Sequence, residues 1–224
     1  MSTNRIVMIL GVQRSGTNAL FDSLAKAPKV LACNESGDSE IYINFFLRPE
    51  PEIRKSLLND KPVLLKPISE TKKRSVQELL QEYSEYDFRI LHIHRDPVNT
   101  YYSATLIWHV VLEEYLEEWN RRNRSIFEIN PGWKDRVAFV KYEDMVEDPS
   151  VFYSAAQFAG IKGKYLFHDD SASGRKLLST KVISKIDEET REIWNLLEQS
   201  RTFLPHPSRF NLPKTIARIR HRLR

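Results

Sequence analysis

An apolar run from Ile6 to Val12 leads through Gly11 and Gly16 into an amphipathic stretch, all within RIVMILGVQRSGTNALFDSLAKA. A short apolar run, a glycine loop and a helical pattern in immediate succession describe a buried strand turning into a helix. The run is far short of the ~20 apolar residues of a membrane span and lacks a small-residue cleavage site, so it reads as a strand and not as a leader.

The same rhythm continues along the chain. Strands are expected at Arg5 to Leu10, Val30 to Ala32, Val63 to Lys66, Arg89 to His94 and Val137 to Tyr142. Helices are expected at Thr17 to Lys26, Arg74 to Tyr83, one long helix from Pro97 through Asn123, Ser150 to Ala159, and Glu188 to Gln199. Strands alternating with helices predict an α/β fold of three layers, a mostly parallel sheet flanked by helices. With 224 residues and 41% hydrophobic content the chain suits one domain over 1–224. Glu35 to Asn59 and Lys162 to Thr180 carry no clear period and are expected to cover a site.

The first loop has a definite chemistry. Backbone N–H groups between a strand end and a helix start point at an anion without needing a side-chain charge. Gly11 and Gly16 have the spacing of the nucleotide loop G-x-x-x-x-G-K-[ST], but Thr17 and Asn18 stand where the lysine and the magnesium hydroxyl would be. Arg14 lies inside the loop with Ser15 beside it, which suits an anion neutralised by protein alone. A loop of this kind is as often merely structural.

A second place can hold an anion. RILHIHRDPVNTYYSATLIWH ends a strand on Arg95 and opens a helix near Pro97, with Ser103 eight residues past the arginine. A cation at a strand's carboxyl end and a hydroxyl on the next helix can converge on one phosphate at the sheet edge. The plainer alternative makes Arg95 and Asp96 a surface pair and helix cap.

QRSGTNAL, HRDPVNTYYS and VAFVKYEDMVEDPSVFYSAAQFAGI together resemble, in order, three motifs of the sulfotransferases that use 3′-phosphoadenosine 5′-phosphosulfate (PAPS), bacterial members especially. The resemblance spans about residues 5 to 161 and implies a P-loop NTPase-like sulfotransferase fold. It implies that Arg14, Ser15, Gly16, Thr17 and Asn18 hold the 5′-phosphosulfate and that Arg95 and Ser103 hold the 3′-phosphate. A loose match of SASGRKLLS to the family's last cofactor loop adds Arg175 and Lys176. Asn18 replaces a hydroxyl common in the family, though its amide can donate.

Sulfuryl transfer needs a cation near the departing oxygen and a base near the acceptor. Arg14 suits the first role. Lys66, ending PVLLK, resembles the family lysine that reaches the cosubstrate, with a solvated strand end as the alternative. Where many eukaryotic members carry a histidine two residues on, this chain has Ile68. The base is then sought among Glu35, which matches the glutamate that other members use, Glu40 and Glu70. His92, His94 and His109 read as packing residues, and no spacing suggests a metal.

The net charge of +4 comes from five cations in the last eleven residues, so the body is about neutral. The segment 213–224 reads as a basic helix or tail able to touch a membrane surface, or packing one apolar stripe on the body. A single cysteine excludes an internal disulfide framework and points to a reducing, cytoplasmic setting. The acceptor is expected to be a small molecule or carbohydrate, and no nucleic acid beyond the nucleotide is expected. Two other readings stay open: a P-loop kinase of small molecules, and a catalytically inactive nucleotide-binding protein on the same fold.

Overall fold

The computed structural model describes residues 5–58, 60–167 and 186–205. Arg175, Lys176 and the basic segment 213–224 lie outside them.

Five strands form one sheet: β1 (Arg5–Leu10), β2 (Leu31–Asn34), β5 (Val63–Lys66), β6 (Asp87–His94) and β7 (Val137–Lys141). Their order is β2-β5-β1-β6-β7, and every pairing is parallel, with Met8 level with Leu65 on one side and Ile90 on the other. Parallel strands put all carboxyl ends at one edge, where ligands of such sheets bind.

The central strands are buried on both faces, and their period of two separates two cores. Ile6, Met8, Leu65 and Ile90 face one side with Val76, Leu79 and Leu80 of α4 (Val76–Gln81). Val7, Ile9, Leu64 and Leu91 face the other, against α1 (Thr17–Ala25) and α8 (Pro149–Ala159). The result is the expected three-layer, mostly parallel arrangement.

Local chemistry places the helix ends. Ser75 and Glu78 form a reciprocal capping box on α4. Asp148 and Pro149 open α8, and Gly160, at φ 70°, closes it. Asp187 caps α9 (Glu188–Gln199), which packs on α6 (Leu112–Ser125).

Two sequence expectations change. The long helix is two, α5 (Pro97–Thr105) and α6 (Leu112–Ser125), separated by an exposed stretch that includes Leu106, Ile107, Trp108, His109 and Val111. His109 therefore lies on an exposed connection. The aperiodic segment after Glu35 holds a small hairpin, β3 (Tyr42–Ile43) and β4 (Phe46–Leu47), and then α2 (Glu50–Leu57). Between β5 and α4 lies the short α3 (Glu70–Lys73). α7 (Tyr142–Glu147) follows β7 directly.

Candidate functional site

The loop leaving β1 is held tightly. Gly11 has φ 149°, and a side chain there would meet the Ile93 carbonyl oxygen at 2.3 Å. Gly16 has φ 99°, and a Cβ would fall 2.3 Å from the Tyr142 ring. Both positions need glycine for backbone angle and for space. Arg14 between them takes a left-handed φ of 72°, uncommon for a residue with a Cβ. Ser15 is buried, and both its N–H and its hydroxyl donate to the Val12 carbonyl, at 3.1 and 2.6 Å. Its donors shape the loop and do not face outward.

Arg95, at the end of β6, is 6% exposed and not the surface residue of the plainer alternative. Its Nη1 donates to the Arg14 carbonyl at 3.3 Å, its Nε lies 3.9 Å from Glu143 Oε1, and its Cζ stands 4.5 Å from the Tyr142 ring centre. Asp96 Oδ1 accepts from the Asn99 N–H, capping α5. Burial pushes the Glu143 carboxyl above its usual range, opposed by hydrogen bonds from backbone N–H groups and by the Arg95 charge.

The two sequence motifs meet in space. Arg14 Nε donates to Ser103 Oγ at 3.1 Å. Arg14, Arg95, Ser103, Tyr142 and residues 16–19 line a cavity of about 180 Å³. No carboxylate is among its lining residues, and two guanidiniums are. Such a donor set fits an anion with oxygens to share between two forks.

Lys66 and Glu35 are joined to this cavity through Asn18, which lines it. Lys66 Nζ donates to Asn18 Oδ1, so the N–H end of that amide is its other end. Lys66 Nζ also lies 3.9 Å from Glu35 Oε1, and Glu35 Oε2 accepts the Ser69 N–H at 2.7 Å. Both side chains are almost wholly buried. Burial raises the Glu35 carboxyl and lowers the Lys66 ammonium from their ordinary values, against the attraction between them. A carboxyl raised in this way holds a proton more tightly than a free one does.

The other glutamates are elsewhere. Glu70 Oε1 accepts the Leu47 N–H at 2.7 Å and Oε2 pairs with Arg74 Nε at 2.9 Å, so its carboxylate ties the β3–β4 hairpin to α3. Glu40 is exposed, accepts from Ser56 Oγ at 2.9 Å and lines a different cleft of about 860 Å³ with Leu31, Arg48, Glu52 and Lys55. That cleft is larger but lies at the outer strand β2, away from Arg14 and Arg95. His92 is buried with Nε2 3.0 Å from Asn123 Oδ1, and its burial lowers its pKa to about 4.

Sequence reasoning passed over Arg122. It lies buried on α6 and donates to the Gly11 carbonyl at 3.0 Å and the Ile68 carbonyl at 2.7 Å. In sequence it is one of three cations in RRNR and a helical pair with Glu118, which is the signature of a solvated face. Among the described residues no group of His, Cys, Asp and Glu could hold a metal, and no helix is long and apolar enough to cross a membrane.

No family model and no curated protein matches the chain. Solved structures do. A sulfotransferase from Alicyclobacillus acidocaldarius matches over 88% of this chain and 96% of its own, with a TM-score of 0.56 and 17% identity. The sulfotransferase domain of the olefin synthase from Synechococcus matches over 94% of this chain and 96% of its own, with a TM-score of 0.56 and 16% identity. At such identities the likeness is one of fold, and the fold is that of sulfotransferases.

Proposed function

We propose that this chain, which has the sulfotransferase fold, moves a sulfuryl group from PAPS to a hydroxyl or amine of a small-molecule or carbohydrate acceptor. The observation that carries the reading is the carboxylate-free cavity in which Arg14, Arg95 and Ser103 converge from two separate motifs. A nucleotide with phosphate groups at both its 3′ and 5′ positions presents two anions to such a pair of cations.

In this reading Arg95 and Ser103 take the 3′-phosphate. Arg14, Asn18 and the N–H groups at residues 16 and 17 take the 5′-phosphosulfate. The acceptor oxygen or nitrogen forms a bond to sulfur as the bond from sulfur to the bridging oxygen breaks. That oxygen keeps the electron pair and leaves on the 5′-phosphate of 3′-phosphoadenosine 5′-phosphate. Arg14 and Lys66 stabilise the charge it gains, and Glu35 accepts the acceptor's proton. The single cysteine suits a reducing compartment such as the cytoplasm, and burial pushes its thiol up to about 11, which keeps it unreactive.

Calorimetric titration with 3′-phosphoadenosine 5′-phosphate, against ATP with magnesium, tests the reading. Micromolar binding of the bisphosphate, weakened in Arg95→Ala, supports it. Binding of ATP with magnesium in its place overturns it in favour of a kinase. Binding of the bisphosphate without sulfuryl release from PAPS would leave a nucleotide-binding protein.

A further inference from the structure

Arg122 lies outside every motif that suggested the site, and its side chain is 2% exposed. Its Nη2 donates to the Gly11 carbonyl at 3.0 Å, to the Ile68 carbonyl at 2.7 Å and to Thr71 Oγ1 at 2.8 Å. Its Nε also reaches Thr71 Oγ1, at 3.1 Å. The carboxylate paired with it, Glu118 Oε1, stands at 3.4 Å and is partly solvated.

These acceptors belong to two segments far apart in sequence. Gly11 opens the loop of the anion cavity. Ile68 and Thr71 bracket the turn after β5, where the Ile68 N–H donates to the Lys66 carbonyl at 3.0 Å and the Ser69 N–H holds Glu35 at 2.7 Å. One guanidinium therefore touches the frame of the anion loop and the frame of the Glu35–Lys66 pair.

A buried cation is costly, and an apolar residue of similar size generally packs there at less cost. What a guanidinium adds is a rigid planar fork that can hold several acceptors at fixed angles. We propose that Arg122 is a positioning residue that sets the separation between the anion-binding loop and the Glu35–Lys66 pair. The inference rests on the sulfotransferase reading for its kinetic part and on geometry alone for its structural part.

Transfer to water serves as the assay, because it needs no known acceptor. Water bonds to sulfur, the bond to the bridging oxygen breaks, Glu35 takes the proton, and sulfate and 3′-phosphoadenosine 5′-phosphate leave. Arg122→Gln and Arg122→Lys are compared with the parent protein in three ways: calorimetric affinity for the bisphosphate, its rate of release from PAPS, and amide hydrogen exchange at Ser15 and Ser69.

The expected result is affinity within about threefold, since Arg95 and Ser103 are untouched, with release slowed about a hundredfold by misplacement of the reacting groups. Exchange quickens at both amides. Lysine does not rescue, because one ammonium cannot span both segments. Loss of the nearby positive charge also moves the acid limb of the pH profile upward in Arg122→Gln.

Rescue by lysine would make charge, not the fork, the function and overturn the proposal. So would affinity and rate falling together, or exchange responding at one amide alone. If the parent protein binds no bisphosphate, the proposed function fails while the exchange measurement still decides the tie. Should both variants fail to fold, Thr71→Val, which removes one acceptor, must quicken exchange at both amides.

Discussion

Arg14 Nε donates to Ser103 Oγ at 3.1 Å, a contact between residues 89 apart that joins the loop after β1 to helix α5. Through it the two anion motifs become one cavity, and Arg95 completes the wall from beneath by donating to the Arg14 carbonyl. A ligand that bridges the two motifs therefore meets a site already assembled.

Arg95→Ala and Arg14→Ala should each weaken binding of 3′-phosphoadenosine 5′-phosphate about tenfold or more, since a charge-assisted hydrogen bond contributes about 1.5–3 kcal/mol. Ser103→Ala removes a neutral donor and should cost less. Titration calorimetry ranks the three, and equal losses would mean that charge does not select the ligand.

Glu35→Gln should slow sulfuryl release from PAPS by about 10²–10⁴ while leaving bisphosphate affinity unchanged. The carboxyl must be ionised to accept a proton, and burial raises it above 4.5. Activity should therefore rise with pH through that raised value and fall away below it. A profile flat down to pH 4.5 would exclude Glu35 as the base.

Glu70→Ala should act on stability alone. Removing the acceptor of the Leu47 N–H and the partner of Arg74 should cost about 1–3 kcal/mol, read as a lower denaturant midpoint with bisphosphate affinity intact.

Gly16→Ala should abolish bisphosphate binding, because the added methyl falls 2.3 Å from the Tyr142 ring at a φ of 99°. Gly37→Ala is the control, with nothing within 4 Å of its Cβ, and should bind normally.

Stability should fall as pH drops from 6.5 toward 4, since the unfolded chain takes up a proton that folded His92 refuses until about pH 4. His94, also lowered by burial, adds to the same slope. His92→Gln should flatten that slope in urea titrations, by about 3 kcal/mol at most across the window.

Much of this architecture is legible in the sequence. β1 and β5 fall at their expected bounds because each is an apolar run bounded by polar or turn residues. The α5–α6 break is not legible. Ala104 and Leu112 are both buried and eight residues apart, a spacing that an unbroken helix also satisfies. No proline or glycine marks the gap, and Val111 gives α6 no side-chain cap.

The site divides in the same way. Arg14, Arg95 and Ser103 could be found because motif spacing along one strand and one helix survives folding. Glu35, Glu40 and Glu70 could not be ranked from spacing, since their difference lies in partners supplied by Ser69, Ser56 and Leu47. Arg122 was hidden because burial of a helix face by distant segments leaves no local trace.

The break after α5 also gives the protein an optical reporter of its own. Trp108 is 43% exposed, and its ring centre lies 6.0 Å from the Arg14 guanidinium carbon. An indole's emission responds to charge and water close to it. Whatever anion draws on Arg14 alters both at once, so fluorescence from this tryptophan should report occupancy of the cavity in solution, without a label.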